Sequence, residues 1–355
     1  MIQSLLVRIL LSPFSLLYGL GVSLRDFFYK RGLLKGVKFD LPIISVGNLS
    51  LGGAGKSPHI EYLIRLLAPY INTATLSRGY KRKTKGYFKV ESTNNATVVG
   101  DEPLQFKRKF EEVFVAVAES RTFAIPKMVI QQPDLQVILL DDAFQHRSID
   151  PGLNILLTEF SLPFTRDYLL PSGRLREWRS SYKRADIMIV SKCPPVITQE
   201  DKDRFIQELN PLGHQKIYFS HYNYLQPYYL FNPETNLEIT PDLEIILICA
   251  IAKTDYLVEY LEEIALSVKI LEYADHHYFS SFDISNLNGI YNRFESNNKV
   301  ILTTEKDAMR LELHRKYIED NKLPIFVLPV EVAFHFEEAV DFDTDVKDFL
   351  LNFKG

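Results

Sequence analysis

The chain has 355 residues, of which 46% are hydrophobic and 24% are charged, and its 41 basic and 45 acidic side chains give a net charge of −4. This composition excludes an intrinsically disordered chain, and the near balance of charge gives no general attraction for a polyanion, so no nucleic-acid partner is expected. The length predicts about two domains, and the two cysteines, Cys193 and Cys249, lack the paired spacing of a zinc site or a disulfide framework, which favours a reducing compartment.

The first predicted element is an apolar segment at the N-terminus. Residues 1–24 are apolar apart from one Arg, one Gln and scattered serines, and the charge of Arg8 together with the helix-disrupting Pro13 argues against a membrane-spanning helix. In residues 25–38 basic side chains alternate with aromatic and aliphatic ones, which is typical of an amphipathic segment on an anionic lipid leaflet. We therefore expect residues 1–38 to attach peripherally to a membrane surface. A core helix with a solvated basic face and a spanning helix are the alternatives.

From residue 39 onward, strand-like and helical patterns alternate. The run LPIISV at 41–46 predicts a buried strand, and apolar residues at helical spacing over 60–67 predict the helix that follows. Further strand-like runs occur at 73–76, 113–117, 137–140, 154–157 and 187–190. Such alternation predicts an α/β fold with a mostly parallel sheet and helices on both faces.

A second α/β set follows a connection. A polar helix near 199–209 and a tyrosine-rich stretch at 218–229, typical of a β-hairpin linker, lie between the two sets. Strand-like runs begin again at 243–251, 300–303 and 325–327. We therefore expect a core domain over residues 39–215 and a smaller C-terminal α/β domain over residues 216–355, whose last helix can pack back against the core.

The strongest chemical signal is the sequence GNLSLGGAGKS at 47–57, between a predicted strand and a predicted helix. It departs from the phosphate-binding pattern G-x-x-x-x-G-K-[ST] only at Ser50, where the first glycine would stand. Glycines let the backbone amides of such a loop converge on phosphate oxygens, while the lysine bridges the β- and γ-phosphates and the serine hydroxyl binds Mg²⁺. The predicted nucleotide-binding residues are Gly52, Gly53, Ala54, Gly55, Lys56 and Ser57. A glycine-rich turn with a chance G-K-S is the alternative, and the flanking elements disfavour it.

Two carboxylates end another predicted strand. The run VILLDD at 137–142 places Asp141 and Asp142 at the carboxyl edge of the sheet, where P-loop proteins hold the acid that serves the metal. Two adjacent aspartates can also cap a turn. Their position beside the glycine-rich loop favours the metal-binding interpretation, which indicates a sheet of the P-loop NTPase type.

Seven short motifs, taken together and in order, carry a family resemblance. They are GNLSLGGAGKSPH (47–59), SRGYKR (77–82), GDEP (100–103), LDDAFQHR (140–147), SGRLRE (172–177), YADHHYF (273–279) and TEKDA (304–308). By these motifs, which span almost the whole chain, it resembles the tetraacyldisaccharide 4′-kinases, the lipid A kinases of Gram-negative bacteria. Where the family has a glycine after the paired aspartates this chain has Ala143, and the glycine-containing turn expected in the second domain reads AIAKT at 250–254.

The resemblance implies an activity, its cofactors and a location. It implies transfer of the γ-phosphoryl group of ATP, with Mg²⁺, to the 4′-hydroxyl of an acylated glucosamine disaccharide 1-phosphate. It further implies a P-loop domain that carries a smaller C-terminal α/β domain, and a peripheral or monotopic position at the cytoplasmic face of the inner membrane. The expected partners are the lipid substrate and the membrane surface, and the sequence makes no obligate protein partner evident.

Two residues from different predicted domains are candidates for accepting the proton of the sugar hydroxyl. By the family resemblance, Asp101 and His276 pair as a dyad, and either member can receive the proton near neutral pH. Such a pair would place the active site in a cleft between the domains, assembled by closure. Asp101 can instead cap the helix that follows it, and only the family pattern distinguishes His276 from the adjacent His277.

Further site residues follow from the same motifs. Lys56, Asp141 and Arg176 join the dyad as catalytic candidates, Arg176 by offsetting charge on the transferred group. Ser57, Asp142 and Glu177 are the candidate Mg²⁺ ligands, with the order of Asp141 and Asp142 left open. The substrate-binding candidates are Arg78, Tyr80, Glu102, Arg121, Gln145 and His146. Solvated charged faces are the alternative interpretation of the basic segments at 78–85 and 174–177.

Two other functional classes compete with a kinase. A GTPase or ATPase switch, or a metallochaperone-like P-loop protein, would carry the same loop, but guanine specificity usually requires N-K-x-D, and the nearest segment, SKCP at 191–194, lacks both Asn and Asp. A membrane-attached scaffold would need neither Lys56 nor paired aspartates at strand ends. The sequence therefore favours the kinase.

Overall fold

The computed structural model describes residues 5–354 of the chain, and these residues form helices around two β-sheets. The helices are α1 (Leu5–Lys30), α2 (Lys56–Leu67), α3 (Ala96–Val99), α4 (Asp101–Lys109), α5 (Arg121–Gln131), α6 (Gln199–Leu209), α7 (Asp255–Ile264), α8 (Ser281–Arg293), α9 (Glu305–Leu311), α10 (Arg315–Asp320) and α11 (Ala339–Leu351). Three 3₁₀ turns, Phe164–Arg166, Arg179–Arg184 and Glu312–His314, complete the helical elements of the described residues.

The N-terminal helix α1 runs without a break through Pro13. A proline cannot donate to the carbonyl four residues earlier, here that of Ile9, and Ser12 Oγ donates to this carbonyl at 2.7 Å instead. Over the described part of the chain, only this helix (Leu6–Lys30) is long and apolar enough to cross a membrane, by length and composition alone. Many of its apolar side chains, such as Leu6 and Leu10, are exposed.

The first sheet has seven parallel strands with an antiparallel strand at each edge. Its strands are β1 (Ile43–Asn48), β2 (Thr73–Ser77), β3 (Phe88–Lys89), β4 (Phe114–Val117), β5 (Val137–Asp141), β6 (Leu153–Glu159), β7 (Ile187–Ser191), β8 (Lys216–Tyr224) and, after the second sheet, β15 (Val330–Phe334). Their order across the sheet is β15-β8-β7-β6-β1-β5-β2-β4-β3. Because β1 and β5 are parallel neighbours, with Val46 paired to Asp141, the loops that follow them meet at one edge.

Alternate residues of the central strands face opposite helical layers. Val137 and Leu139 of β5 pack in the apolar core that includes α2, α4 and α11, whereas Ile138 and Leu140 pack on the other face with α5. Phe205 of α6 packs with β7 on that second face. The predicted α/β fold, with a mostly parallel sheet between helices and an apolar N-terminal helix, is confirmed.

The second sheet contains the remaining strands of the described residues. They are β9 (Tyr228–Tyr229), β10 (Asn232–Asn236), β11 (Glu244–Cys249), β12 (Ser267–Glu272), β13 (Lys299–Thr304) and β14 (Ile325–Leu328), in the order β10-β9-β14-β13-β11-β12. The last four strands in this order are parallel. Strand β9 is antiparallel to β14, and β10 is antiparallel to β9. Helix α7 covers one face, and α8, α9 and α10 cover the other.

The chain passes between the two sheets twice. The predicted boundary stands at residue 215/216, whereas β8, which starts at Lys216, is hydrogen-bonded to β7 of the first sheet, and the chain leaves that sheet after Tyr224. It returns in β15, and α11 packs on the first sheet through Phe342 and Val346. The second sheet and its helices are therefore inserted between two neighbouring strands of the first.

Candidate active site

The glycine loop, residues 49–55, joins β1 to α2. Gly52 and Gly55 have φ angles of 112° and 85°, in the region that disfavours any side chain. A Cβ atom at Gly55 would stand 2.5 Å from Tyr222 Oη, so glycine is needed there for space as well as for conformation. Ala54 is buried, and its carbonyl accepts a 2.8 Å hydrogen bond from Ser191 Oγ of β7. The glycines and the hydrogen bond from β7 therefore hold the glycine loop in a conformation that places backbone amides at the start of α2.

Charged side chains converge on Asn48 and Asp142 beside this loop. Arg176 donates to both carboxylate oxygens of Asp142, at 2.8 and 3.0 Å, and to Asn48 Oδ1 at 2.6 Å. The Lys56 ammonium lies 3.7 Å from Asp142 Oδ1 and donates to Asn48 Oδ1 at 3.3 Å. Burial alone would raise the pKa of Asp142, but Lys56 and Arg176 outweigh burial and hold that pKa well below its usual range. Asp142 is therefore an anion clamped between two cations.

The neighbouring Asp141 is in a different electrostatic state. It is 2% exposed, and its Oδ1 atom is buried without a hydrogen-bond partner. Burial, followed by the charges of Glu102 and Asp142, raises the pKa of Asp141 to about 8. An unpartnered carboxylate oxygen suits a hard cation, and a bound cation would offset the free-energy cost of burying this carboxylate.

The polar residues at this edge suit a Mg²⁺ ion held largely by nucleotide phosphates. Over residues 5–354 no group of three or more His, Cys, Asp or Glu side chains could hold a metal alone. Mg²⁺ usually takes one or two protein carboxylates together with phosphate oxygens and water. Ser57, Asp141 and Asp142 offer that donor set.

Glu177 lies away from this set, although it directly follows Arg176. Its side chain is fully buried and is held by the guanidinium groups of Arg25 on α1 and Arg184, the latter at 2.5 Å. The structure therefore does not bring this predicted metal ligand to Ser57 or the aspartates. Its carboxylate instead fixes α1 to the segment that carries Arg176.

The second group of predicted residues meets across the two sheets. His276 Nδ1 lies 2.9 Å from Asp101 Oδ2, and both side chains are buried. Asp101 begins α4, which follows α3 and precedes β4 of the first sheet, and His276 lies in the turn after β12, so the pair joins the core to the inserted domain. Burial would raise the pKa of Asp101, but the hydrogen bond with His276 and the charges of Lys306 and Arg310 hold it well below the usual range.

A network of charges from α9 supports the dyad. Arg310 is fully buried, with Nη1 3.3 Å from Asp101 Oδ2, and it also pairs with Asp307. Asp307 Oδ2 in turn accepts from the backbone N–H of Ala250 at 3.1 Å. Lys306 Nζ lies 3.0 Å from His276 Nε2. These residues belong to or follow the TEKDA motif, and the sequence alone assigns them no role.

Glu102 connects the dyad to the glycine loop. Its Oε1 accepts from Ser57 Oγ at 3.1 Å and lies 3.2 Å from Lys306 Nζ. Glu102 is therefore placed between the loop and the dyad, next to Asp101 in α4.

The other predicted substrate-binding residues lie beside the glycine loop, Asp141 and His276. Arg121 donates to the Asp141 carbonyl at 3.1 Å and lies 2.9 Å from His146 Nε2, and burial together with Arg121 lowers the pKa of His146 to about 4. Gln145 donates to the Asn48 carbonyl at 2.8 Å. Arg78 and Tyr80 are exposed, and the Tyr80 ring packs on the His276 ring at a centroid distance of 4.7 Å.

A phosphate-binding type of loop with a lysine and paired aspartates lies beside an acid–imidazole pair whose aspartate belongs to the core and whose histidine belongs to the inserted domain. This arrangement defines a P-loop phosphotransferase. A sequence profile of the family described as Tetraacyldisaccharide-1-P 4′-kinase matches residues 7–350. The chain belongs to the tetraacyldisaccharide 4′-kinase family, and it is a kinase of lipid A biosynthesis.

Relatives and a solved structure support this assignment. The chain is 40% identical over 343 residues to the tetraacyldisaccharide 4′-kinase of Bacteroides fragilis. The aligned residues make up 95% of this chain and 91% of the relative. The chain is also 40% identical over 347 residues to the corresponding kinase of Flavobacterium johnsoniae, covering 97% and 98%. The crystal structure of the "apo" form of LpxK from Aquifex aeolicus in complex with ATP has a similar fold, with a TM-score of 0.73, 27% identity and coverage of 97% and 99%.

Proposed function

We propose that this kinase transfers the γ-phosphoryl group of ATP, with Mg²⁺, to the 4′-hydroxyl of a tetraacyl glucosamine disaccharide 1-phosphate. The observation that carries the proposal is the 2.9 Å contact between Asp101 and His276, formed between two domains and connected through Glu102 to the glycine loop. The names of the relatives supply the acceptor, and the ATP held by the similar solved structure supplies the donor.

Nucleotide binding is assigned to the glycine loop and the start of α2. The amides of residues 52–57 and the Lys56 ammonium would bind the phosphates, and Ser57 with Asp141 or Asp142 would hold Mg²⁺. When bound, that ion neutralises charge that develops between the β- and γ-phosphates. Arg176 is held beside Asp142 by a two-point hydrogen bond, so its positive charge is already oriented toward the loop.

The proton of the attacking hydroxyl is assigned to the dyad. His276 Nδ1–H donates to Asp101, which fixes the ring and keeps the carboxylate ionised. Either the Asp101 carboxylate or the imidazole can then receive the proton as the new oxygen–phosphorus bond forms. Because the two residues lie in different domains, closure of the cleft assembles the acceptor site.

The lipid substrate and the membrane are assigned to the surface around α1. Arg78, Tyr80, Arg121 and His146 border the cleft, where the positive charges of Arg78 and Arg121 suit a sugar phosphate. The exposed apolar side chains of α1 suit peripheral or monotopic attachment to the cytoplasmic face of the inner membrane. Several contacts join α1 to the segment that contains Arg176, among them a 2.8 Å hydrogen bond from Tyr18 Oη to the Arg176 carbonyl.

A kinase assay that compares substitutions of two adjacent histidines, His276 and His277, tests the proposal. We expect the purified protein to phosphorylate the acylated disaccharide 1-phosphate with ATP and Mg²⁺, and His276→Asn to lower kcat by about 100-fold or more, because a general base contributes that much. Nucleotide affinity, measured without lipid, should stay near that of the wild type.

His277→Asn is the matched control, because His277 contacts Asp283 at 3.0 Å instead of the dyad, and it should retain most of the rate. Equal loss in both variants would refute the dyad. ATP hydrolysis that ignores the lipid would favour a nucleotide switch.

A further inference from the structure

Lys306, in the first turn of α9, touches the proposed dyad on its open side. Its Nζ atom lies 3.0 Å from His276 Nε2, 3.2 Å from Glu102 Oε1 and 3.7 Å from Asp275 Oδ1. Its side chain is 19% exposed. Burial alone would lower the pKa of Lys306, but the carboxylates of Glu102, Asp101 and Asp275 outweigh it and raise that pKa, so the side chain is an ammonium ion.

An ammonium group has donors and no acceptor, which determines the state of the ring it touches. Lys306 donates to His276 Nε2, so this nitrogen carries a lone pair, and the ring proton is placed on Nδ1. Nδ1–H then donates to Asp101 Oδ2 at 2.9 Å. Both ring nitrogens are therefore engaged, one by a cation and one by an anion.

The same lysine is connected to the glycine loop by one carboxylate. Glu102 Oε1 accepts from Ser57 Oγ at 3.1 Å and faces Lys306 Nζ. The contacts form a continuous series from Ser57 through Glu102, Lys306 and His276 to Asp101. A ligand that binds the Ser57 hydroxyl takes that donor away from Glu102 Oε1, and Lys306 is then the remaining partner of this carboxylate oxygen.

We propose that Lys306 is a positioning residue, which holds His276 in the Nδ1–H tautomer toward Asp101 and makes the availability of His276 Nε2 depend on occupancy of the glycine loop. In the free protein Lys306 covers Nε2. When Ser57 turns to a bound ligand, Glu102 draws Lys306 away and Nε2 becomes accessible to a hydroxyl proton. The inference rests on the proposed function for its catalytic meaning, whereas the tautomer is a property of the free protein.

The groups that face His276 define what a test must control. Asp101 and Arg310 lie on the Nδ1 side of the ring, Lys306 and Asp275 lie on the Nε2 side, and Tyr80 packs against the ring. Lys81 lies near the same turn, and its ammonium donates to the carbonyls of Asp275 and His276 at 3.0 and 3.1 Å. Lys81 is therefore a second lysine that bridges the two domains, but within this turn its ammonium contacts only backbone carbonyls. Lys81→Met is the matched control for Lys306→Met.

The experiment uses the full chain labelled with ¹⁵N-histidine, with His276 assigned by its absence in His276→Asn. In wild type we expect the Nδ1–H tautomer, and addition of Mg²⁺ with a nonhydrolysable ATP analogue should shift the Nε2 resonance toward that of a free acceptor. In Lys306→Met we expect a mixture of tautomers and no shift of Nε2 on nucleotide binding. Lys306→Arg should retain the wild-type tautomer, and Lys81→Met should behave as wild type.

Kinetics give a second readout. We expect Lys306→Met to lower kcat by about 10- to 100-fold, with KM for ATP changed by less than about threefold, because the residue acts on the dyad and not on the nucleotide. A wild-type tautomer in a folded Lys306→Met protein would overturn the proposal, as would an Nε2 shift that persists without Lys306. If the wild type fails to phosphorylate the lipid, the proposed function is wrong, and the tautomer measurement still decides the role of Lys306.

Discussion

His276 occupies a backbone conformation that its residue type rarely adopts. Its φ angle is 55°, in the left-handed region, and its N–H donates to the Ala250 carbonyl at 3.0 Å. Backbone strain of this kind persists only where surrounding contacts fix it, and it is frequent at functional sites. Here the contacts with Asp101, Lys306 and Tyr80 supply that restraint.

Asp101 shows why a single residue was ambiguous in the sequence. The pattern allowed it to cap a helix or to pair with His276. In the structure Gly100 occupies the N-cap position of α4 with no side-chain cap, and Asp101 contacts His276. As first residue of α4 its Oδ1 accepts from the Glu102 N–H at 3.0 Å, while Oδ2 meets His276. A local pattern predicts the first contact, but the second depends on a residue 175 positions away in the sequence.

A pH-dependent stability is expected from Glu61, a buried carboxyl group between the domains. Burial, and then the charge of Glu305, raise the pKa of Glu61 from 4.5 to about 7, against the lowering effect of Lys109. The folded protein therefore binds more protons than the unfolded chain between these pH values, so the contribution of Glu61 to the free energy of unfolding falls as pH rises through that window.

Glu61→Gln should remove this titration. We expect the free energy of unfolding of the variant, relative to wild type, to increase by about 2–3 kcal/mol between pH 5 and pH 8, as the pKa shift implies. Urea unfolding of both proteins at several pH values measures it. A difference that stays constant over this range would contradict the prediction.

At the scale of elements, strands with their own hydrophobic signature were predicted well. The strand-like run at 137–140 appears as Val137–Asp141 and the run at 187–190 as Ile187–Ser191. The tyrosine-rich stretch at 218–229, predicted as a hairpin linker, is largely the strand β8, Lys216–Tyr224. Its partners are β7 and the distant β15, and a pairing between residues so far apart has no local pattern.

The docking of α1 depends on one of its glycines. A Cβ atom at Gly19 would stand 2.4 Å from Trp178 Cζ2, and Trp178 Nε1 donates to the Gly19 carbonyl at 3.2 Å. Gly19→Ala should therefore displace Trp178, separate α1 from the segment of Arg176 and reduce activity on the lipid. Because Trp178 is the only tryptophan of the chain, its fluorescence emission should move to longer wavelength.

Gly21, two residues further along α1, is the matched control. A Cβ atom there meets nothing within 4 Å, so Gly21→Ala should leave the emission unchanged. The helix should gain about 0.5–1 kcal/mol, because alanine restricts the unfolded chain. Identical spectra for the two alanine variants would show that α1 docks in another way.

At the scale of the whole molecule, ion pairs hold the inserted domain against the core. Lys109 of α4 lies 2.7 Å from Glu61 of α2 and 2.6 Å from Glu305 of α9, so one cation separates two carboxylates from different domains. At a pH above the pKa of Glu61, Lys109→Met should leave two carboxylates facing each other without a cation, and their repulsion should favour an open cleft. We expect a larger radius of gyration by X-ray scattering, restored in part by nucleotide with Mg²⁺.

Lys107→Met is the control for this measurement, because Lys107 bonds to the carbonyls of Glu111 and Val113 within its own domain. It should scatter as the wild type does. An unchanged radius of gyration in Lys109→Met would mean that other contacts between the domains suffice to keep the cleft closed.

The motifs contain residues that the fold brings together, but the contacts among those residues required the structure. The sequence identified Lys56, Asp142 and Arg176, which the fold brings together. It missed Asn48, to which Arg176 and Lys56 both donate, because an asparagine at a strand end has no distinctive pattern. A motif does not state which residues face one another, since that depends on how two sheets pack.

The insertion of the second sheet has a consequence for synthesis on the ribosome. Val330 pairs with Tyr224, so the chain leaves the first sheet and re-enters it at adjacent positions. Edge strand β15 and helix α11 are translated last, and until then the apolar surface that Phe342 and Val346 cover is bare. Nascent chains halted before residue 330 would thus expose that surface to chaperones, with His276 and the strands of the second sheet already made and the first sheet still without its edge strand β15.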